Sequence, residues 1–544
     1  MAHEVANQPP PLVNYNLFEA DAPLREALER EGGAWAHDLV HDLGRLAGTE
    51  DAIEWGFQAN ANPPKLHTHD RFGNRVDEVE FHPAWHRLME VAIGHGLHAM
   101  PWREPRPGAH AARAAAFYIW SQVEGGHGCP VSMTYAAVPA LRKQPELSAQ
   151  WEPRMKSLDY DPDLGTPSSK RGVLVGMAMT EKQGGSDVRA NTTRALPTGA
   201  GGPGGEHLLT GHKWFCSAPM CDAFLVLAQA PGGLSCFLLP RVLPDGARNG
   251  FRIQRLKDKL GNRSNASSEI ELESAVAWMV GDEGRGVRTI IDMVNHTRLD
   301  CIVGSASLMR QAVAQATHHT AHRSAFGRLL SEQPLMENVL ADLAIESEAT
   351  TVLMMRLAGA FDRTSDPAEV YFRRLALAVG KYWTCKRAIA LVAEALECLG
   401  GNGYVEESIM PRLYREAPLN SIWEGSGNVN ALDVLRAMGR EPESVTAFMA
   451  EVDEARDTDP RLDRAVDELK QQLSNGAGTE AGARRLVERM AVVLEGSLLV
   501  RHGDPAVADA FCTSRIGGDW GHSFGTLPEG LQLASIVQRH RPAS

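Results

Sequence analysis

Met177-Ala-Met-Thr-Glu-Lys-Gln-Gly-Gly-Ser-Asp-Val-Arg-Ala190 decides how the rest of the chain is read. The apolar run Val173–Met179 leads into it and predicts a buried strand. The strand empties into a turn with two adjacent glycines, a serine and an aspartate. Gly184 and Gly185 allow close backbone approach to a ligand. Thr180 and Ser186 add hydroxyls, and the turn's N–H groups suit a flat polar heterocycle or a phosphate. Taken alone, the same residues are also what an ordinary hairpin turn contains.

Two further runs add to this. One is Glu397-Cys-Leu-Gly-Gly-Asn-Gly-Tyr404, continuing to the spaced Arg412; the other is Ser421-Ile-Trp-Glu-Gly-Ser-Gly427. Together the three resemble the flavin-dependent acyl-CoA dehydrogenase family: small residue, Met, Thr-Glu, two free positions, Gly-Gly-Ser-Asp; then Gly-Gly-x-Gly-aromatic; then Glu-Gly-Ser/Thr. The overall length, Asn60-Ala-Asn-Pro-Pro64, Leu256-Lys-Asp-Lys-Leu-Gly-Asn-Arg-Ser-Asn-Ala-Ser267 and Trp423-Glu-Gly-Ser-Gly-Asn428 are similar to its alkylation-response branch. The likeness spans nearly the whole chain and is weakest after residue 440.

At 544 residues the chain exceeds one core. Hydrophobic residues at 43% and charged residues at 23% are ordinary for a globular protein. The expected fold is mainly α with a central β domain. An arm (1–20) carrying Pro9–Pro11 precedes a capped helix start at Asp21 and a helical N-terminal domain (21–170). Short β runs then form a barrel-like middle domain (171–285), with the glycine-rich Thr198–Gly205 as a hairpin loop. A helical bundle (286–440) and an extra helical domain (441–544) follow; the resemblance implies the four-helix form of that bundle. Eight cysteines without metal spacing fit a reducing cytoplasm, and no apolar run approaches the ~20 residues of a membrane span. No signal peptide is expected.

The implied reaction removes an α-proton from an acyl thioester while the β-hydride passes to a flavin. The resemblance makes Glu424 its base, with desolvation raising the carboxylate's basicity. It puts Thr297 where some relatives hold the base instead, and threonine cannot act so. Arg298 is the expected substrate contact. Carried over by position, the FAD contacts are Met177, Met179, Thr180, Gly185, Ser186, Phe215 (where the family has a tryptophan) and Ser217 (where it has a threonine). Arg323, Phe326, Gln333, Glu397 (often glutamine in relatives), Gly400, Gly401, Ser426 and Asn428 complete them. The Arg323–Gly327 segment resembles one that reaches a neighbouring subunit's FAD, which implies a homotetramer, a dimer of dimers.

Branch members are regarded as associating non-specifically with duplex DNA and as keeping feeble activity on short branched acyl-CoA such as isovaleryl-CoA. The candidates for phosphate contact are Arg436, Lys470, Arg484, Arg485, Arg489, Arg501 and Arg515. Yet residues 441–544 hold 11 Lys/Arg against 17 Asp/Glu, and the whole chain carries −13. The alternative is a metabolic acyl-CoA dehydrogenase with no DNA role, passing electrons to an electron-transfer flavoprotein. The histidines at 318, 319 and 322, and the pairs His67/His69 and His82/His86, read as solvated faces, so no metal is expected.

Overall fold

The computed structural model describes residues 3–474 and 479–542. The chain forms two compact units with an interleaved path. One comprises Glu54–Pro105 and Glu124–Thr297; the other comprises Met1–Ile53, Arg106–Val123 and Arg298–Ser544. The boundary falls inside a single helix, Gly286–His322.

The first of these units is built on β-strands. A hairpin, β1 (Lys65–His69) and β2 (Arg75–Glu80), lies in the stretch that the sequence reads as mostly helix broken at turns. Asp70 closes its turn by accepting the N–H groups of Phe72 and Asn74, and the alternation Arg75-Val-Asp-Glu-Val-Glu80 is a strand signal that a helix-period reading misses. The strands β3 (Val175–Ala178), β4 (Arg194–Pro197), β5 (Glu206–Ser217), β6 (Ala223–Ala230), β7 (Gly233–Pro240), β8 (Phe251–Leu256) and β9 (Ser267–Val280) make one sheet. Its order is β3-β6-β4-β5-β9-β7, with β8 on β9; pairing of β6 with β7 closes the sheet on itself. The glycine-rich loop joins β4 to β5 as an antiparallel hairpin.

The second unit is helical. Asp21 accepts the Leu24 N–H and starts the helix Ala22–Arg30, which buries Pro23, Leu24, Ala27 and Leu28. The long helices Pro334–Asp362 and Pro367–Cys398 each open on a proline, the second capped by Asp366. Helices Pro442–Asp453, Pro460–Ser474, Ala483–His502, Pro505–Phe511 and Leu533–His540 continue the same core. Trp383 donates to Glu495 at 2.9 Å, and Arg387 and Arg515 both reach Glu346. Glu346 sits near pKa 2: burial pushes it up, but the two guanidiniums outweigh that. Burial and the neighbouring Glu346 push the Glu495 carboxyl the other way, well above its ordinary value. Arg539 and His540 bind Glu348, and Arg539 also reaches Glu26 on the Ala22–Arg30 helix. The arm lies along this unit: Tyr15 donates to Gln311, and Pro10 accepts from His318.

Candidate functional site

In the β unit, the Thr180–Ser186 turn is held from beneath. Lys213 and Glu181 form an ion pair at 2.8 Å with both side chains fully buried. Lys213 also donates to the Leu227 carbonyl, while Glu181 accepts from the Thr192 and Thr193 backbones and the Thr192 hydroxyl. Burial pushes the Glu181 carboxyl up, but Lys213 and these donors hold it well below the usual range. Asn191 donates to the Met179 carbonyl and Trp214 to the Thr180 carbonyl, so each end of the motif is tied. With Glu181 turned inward, Thr180, Gly184, Gly185 and Ser186 stay at the surface. Met177 is buried in β3, beside Leu225 of β6.

A bulge in β5 between Lys213 and Cys216 sets the neighbouring wall. Lys213 and Cys216 face the core, while Phe215 is 51% exposed and Ser217 half-buried. A bulge re-aims side chains in this way. Glu181 and Lys213 were not among the expected site residues. Their signal was an ionisable residue inside an apolar-flanked strand.

In the helical unit, Glu424 adopts φ +55°, a left-handed conformation that costs a non-glycine residue about 1–3 kcal/mol. The bundle imposes it through three consecutive carbonyls. Buried Lys381 donates to the Trp423 and Gly425 carbonyls at 2.7 and 2.6 Å, Arg298 to the Glu424 carbonyl at 3.2 Å, and Asn430 to Gly425 at 2.6 Å. Arg298 is itself buried and bonded to Asp433 at 2.7 Å. The donors of Arg298, the expected substrate contact, here hold the loop and Asp433. Lys381 escaped the sequence reading because nothing marks one lysine in a long helix as buried. The Thr297 hydroxyl bonds back to the Met293 and Val294 carbonyls within its own helix.

The remaining expected cofactor residues lie elsewhere on this unit. Arg323 donates to the Asn7 carbonyl and Gln333 to Ala325; Phe326, at φ +53°, is 99% exposed at a hairpin tip. Glu397, Gly400 and Gly401 are exposed, and a Cβ at either glycine would meet nothing within 4 Å. Ser426 caps the helix Gly427–Arg440 by its backbone, and Asn428 accepts from Arg484.

Several basic residues expected to meet DNA are already engaged. Arg515 is buried against Asp342 and Glu346, which corrects that expectation outright. Lys470 pairs with Asp453, Arg489 with Glu468, and Arg501 with Glu451. Arg436, 55% exposed, has only a long contact with Asp433, and Arg485 is exposed.

Comparison with known proteins decides the family. Residues 7–162 match the adaptive response protein AidB N-terminal domain, 176–275 the acyl-CoA dehydrogenase middle domain and 284–439 its C-terminal domain. The chain belongs to the acyl-CoA dehydrogenase family. It is 47% identical to the AidB protein of Escherichia coli K12, over 94% of both chains. It is 30% identical to acyl-CoA dehydrogenase family member 11 of Caenorhabditis elegans, over 90% of this chain and 84% of that one. The structure of C. elegans ACDH-11 in complex with C11-CoA superposes with TM-score 0.85 at 28% identity, covering 95% of this chain and 93% of that one. The protein is accordingly an FAD-dependent oxidoreductase of the acyl-CoA dehydrogenase type. Among the described residues no helix is long and apolar enough to cross a membrane.

Proposed function

We propose that the protein oxidises an acyl-CoA to the 2-enoyl thioester, with Glu424 removing the α-proton. The observation that carries this is the carbonyl clamp. Lys381, Arg298 and Asn430 hold Trp423–Gly425 so firmly that Glu424 keeps a strained backbone, a cost that a passive loop has no reason to bear. FAD, when bound, supplies the acceptor for the β-hydride. The residues of the β unit suit it: Thr180, Gly185, Ser186, Phe215 and Ser217 leave hydroxyls and an aromatic face at its surface. Glu424 takes the proton, and the clamp fixes the backbone from which its carboxylate projects. Electrons would leave to an electron-transfer flavoprotein. The C. elegans neighbour was solved with C11-CoA; for this chain, short branched thioesters such as isovaleryl-CoA are the first to try.

The test is an anaerobic titration with short, branched and longer acyl-CoAs, following oxidised-flavin absorbance, beside Glu424→Gln. Bleaching in the wild type and none in the variant supports the reading. Equal bleaching in both would remove Glu424 from the chemistry.

A second role, non-specific DNA association in the alkylation response, is favoured by the whole-length similarity to AidB. In this chain it would rest on Arg436 and Arg485, since Arg515 is buried and Lys470 and Arg489 are neutralised. Salt-dependent retention on duplex DNA, weakened in Arg485→Gln, tests it; no retention at low salt would sink it.

A further inference from the structure

The hairpin that carries Phe326 has little of its own to keep it in shape. It pairs only Ser324 with Leu329 and Ala325 with Arg328, and a two-stranded hairpin is marginal in water even when longer. Both residues of its turn are left-handed, Phe326 at φ +53° and Gly327 at φ +80°. Such a turn suits Asn-Gly, and a phenylalanine in its first place is strained. The Phe326 ring is exposed, so packing within the described chain does not offset that strain.

The N-terminal arm supplies the missing support. The Asn7 side chain donates to the Ser324 carbonyl at 2.8 Å and accepts the Ser324 N–H at 2.7 Å. Both backbone groups of Ser324 are thus satisfied, as an added strand would satisfy them. Arg323, one residue earlier, donates to the Asn7 carbonyl at 2.7 Å. Asn7 itself sits at φ +58°, a conformation that asparagine enters more readily than most residues with a side chain. The following residues extend the attachment. Asn402, in the Gly401–Tyr404 turn, donates to the Gln8 side chain at 3.2 Å, and His318 donates to the Pro10 carbonyl at 2.9 Å. Pro9, Pro10 and Pro11 favour an extended run, so a stiff segment spaces these attachments.

We propose that residues 7–10 are a clamp that positions the Phe326 hairpin and the Gly401–Tyr404 turn for FAD, with Asn7 as its positioning residue. The proposal rests on the dehydrogenase reading, which counts Arg323, Phe326, Gly400 and Gly401 among the cofactor contacts. Asn7 and Gln8 are adjacent, so the arm fixes the spacing between the two segments. Asn7 meets no reacting atom; it acts through Ser324 and Arg323. The first residues of the chain thereby belong to the cofactor site and are not a dispensable tail.

The test compares the full-length wild type with Asn7→Gly, Asn7→Ala and the exposed arm control Glu4→Gln. Asn7→Gly keeps the left-handed backbone accessible and removes only the side chain; Asn7→Ala disfavours both. Hydrogen exchange is followed at Leu330, whose N–H donates to the Arg323 carbonyl at 2.8 Å and so reports the hairpin without touching the arm. FAD is titrated into the deflavinated protein, and melting temperature is read beside it. Asn7→Gly should speed Leu330 exchange and weaken FAD about tenfold, the loss of roughly one or two hydrogen bonds, with the melting temperature unchanged. Saturating FAD should restore its turnover with the KM for acyl-CoA unaltered, which a general loss of stability would not do. Asn7→Ala should do at least as much, and Glu4→Gln nothing. Unchanged Leu330 exchange in both Asn7 variants would overturn the clamp. Faster exchange with wild-type FAD affinity would overturn its role in the site. If the wild type binds no FAD, the dehydrogenase reading fails and takes the FAD role with it, while the exchange comparison still decides whether the arm holds the hairpin.

Discussion

Glu424, the base proposed above, shows how much of a residue's conformation lies in its neighbours. Its candidacy was legible from its Glu-Gly-Ser context. The three donors that set its backbone were not, because Lys381, Arg298 and Asn430 come from positions that share no local pattern with it. Replacing Glu424 by glutamine should lower turnover about 10²–10⁴-fold while the protein still binds flavin, read by single-turnover bleaching. Lys381→Met leaves the Trp423 and Gly425 carbonyls without their charged donor. Stability should fall by about 3 kcal/mol in a denaturant titration, with kcat dropping more than KM rises. A variant as stable and active as the wild type would mean that the strain at Glu424 does not depend on the clamp.

Elements were legible where periodicity was strong. Helix Pro83–Gly94 buries the stripe Trp85, Leu88, Met89, Ala92 and Ile93, and strand Ala223–Ala230 is a continuous apolar run buried at every position but Gln229. Short or bulged strands escaped: β4 and β8 have four and six residues, and β1 and β2 hide in a segment rich in charged side chains. The β5 bulge could not be read at all, since it depends on register with β9. Its inner side makes a prediction. Glu181→Gln leaves Lys213 buried without its counter-charge, so the unit should lose about 3–5 kcal/mol and the protein should purify with little flavin. The C-terminal helix Leu533–His540 offers a pH test. Burial pushes the Glu348 carboxyl up, but His540 and Arg539 outweigh it and hold it at about 2, below its ordinary value of 4.5. A depressed carboxylate stabilises the fold fully above pH 4.5 and loses that contribution as pH falls toward 2. Hydrogen exchange should show this helix losing protection across that window, and Glu348→Gln should remove the pH dependence.

At the scale of the molecule, the sequence showed that material follows the bundle but not how it is attached. The extension is acidic and amphipathic, as a separate domain would be. Yet Trp383 and Glu346 of the bundle are bonded to Glu495 and Arg515 beyond it. Buried polar pairs of this kind have no pattern in the sequence, because each half sits in an otherwise regular helix. Removing residues after 441 should therefore expose charged side chains and apolar helix faces together. The expected result is a truncated chain recovered mainly as aggregate, whereas full-length protein shows Arg515 and Glu424 environments lost in one calorimetric transition. A soluble truncation that binds FAD as tightly as the full chain would refute the shared core.

The contact between Glu26 and Arg539 joins residues 513 positions apart. During synthesis at ~5–20 residues per second, the first helix would wait roughly half a minute to two minutes for the last one to leave the ribosome. The β unit, whose segments end at Thr297, is complete long before that. The apolar side of Ala22–Arg30 waits less long, since it packs on the helices Ala109–Ser121 and Pro334–Asp362. The Glu26–Arg539 tie is therefore among the last to form, and it fastens the first helix only when synthesis is nearly over.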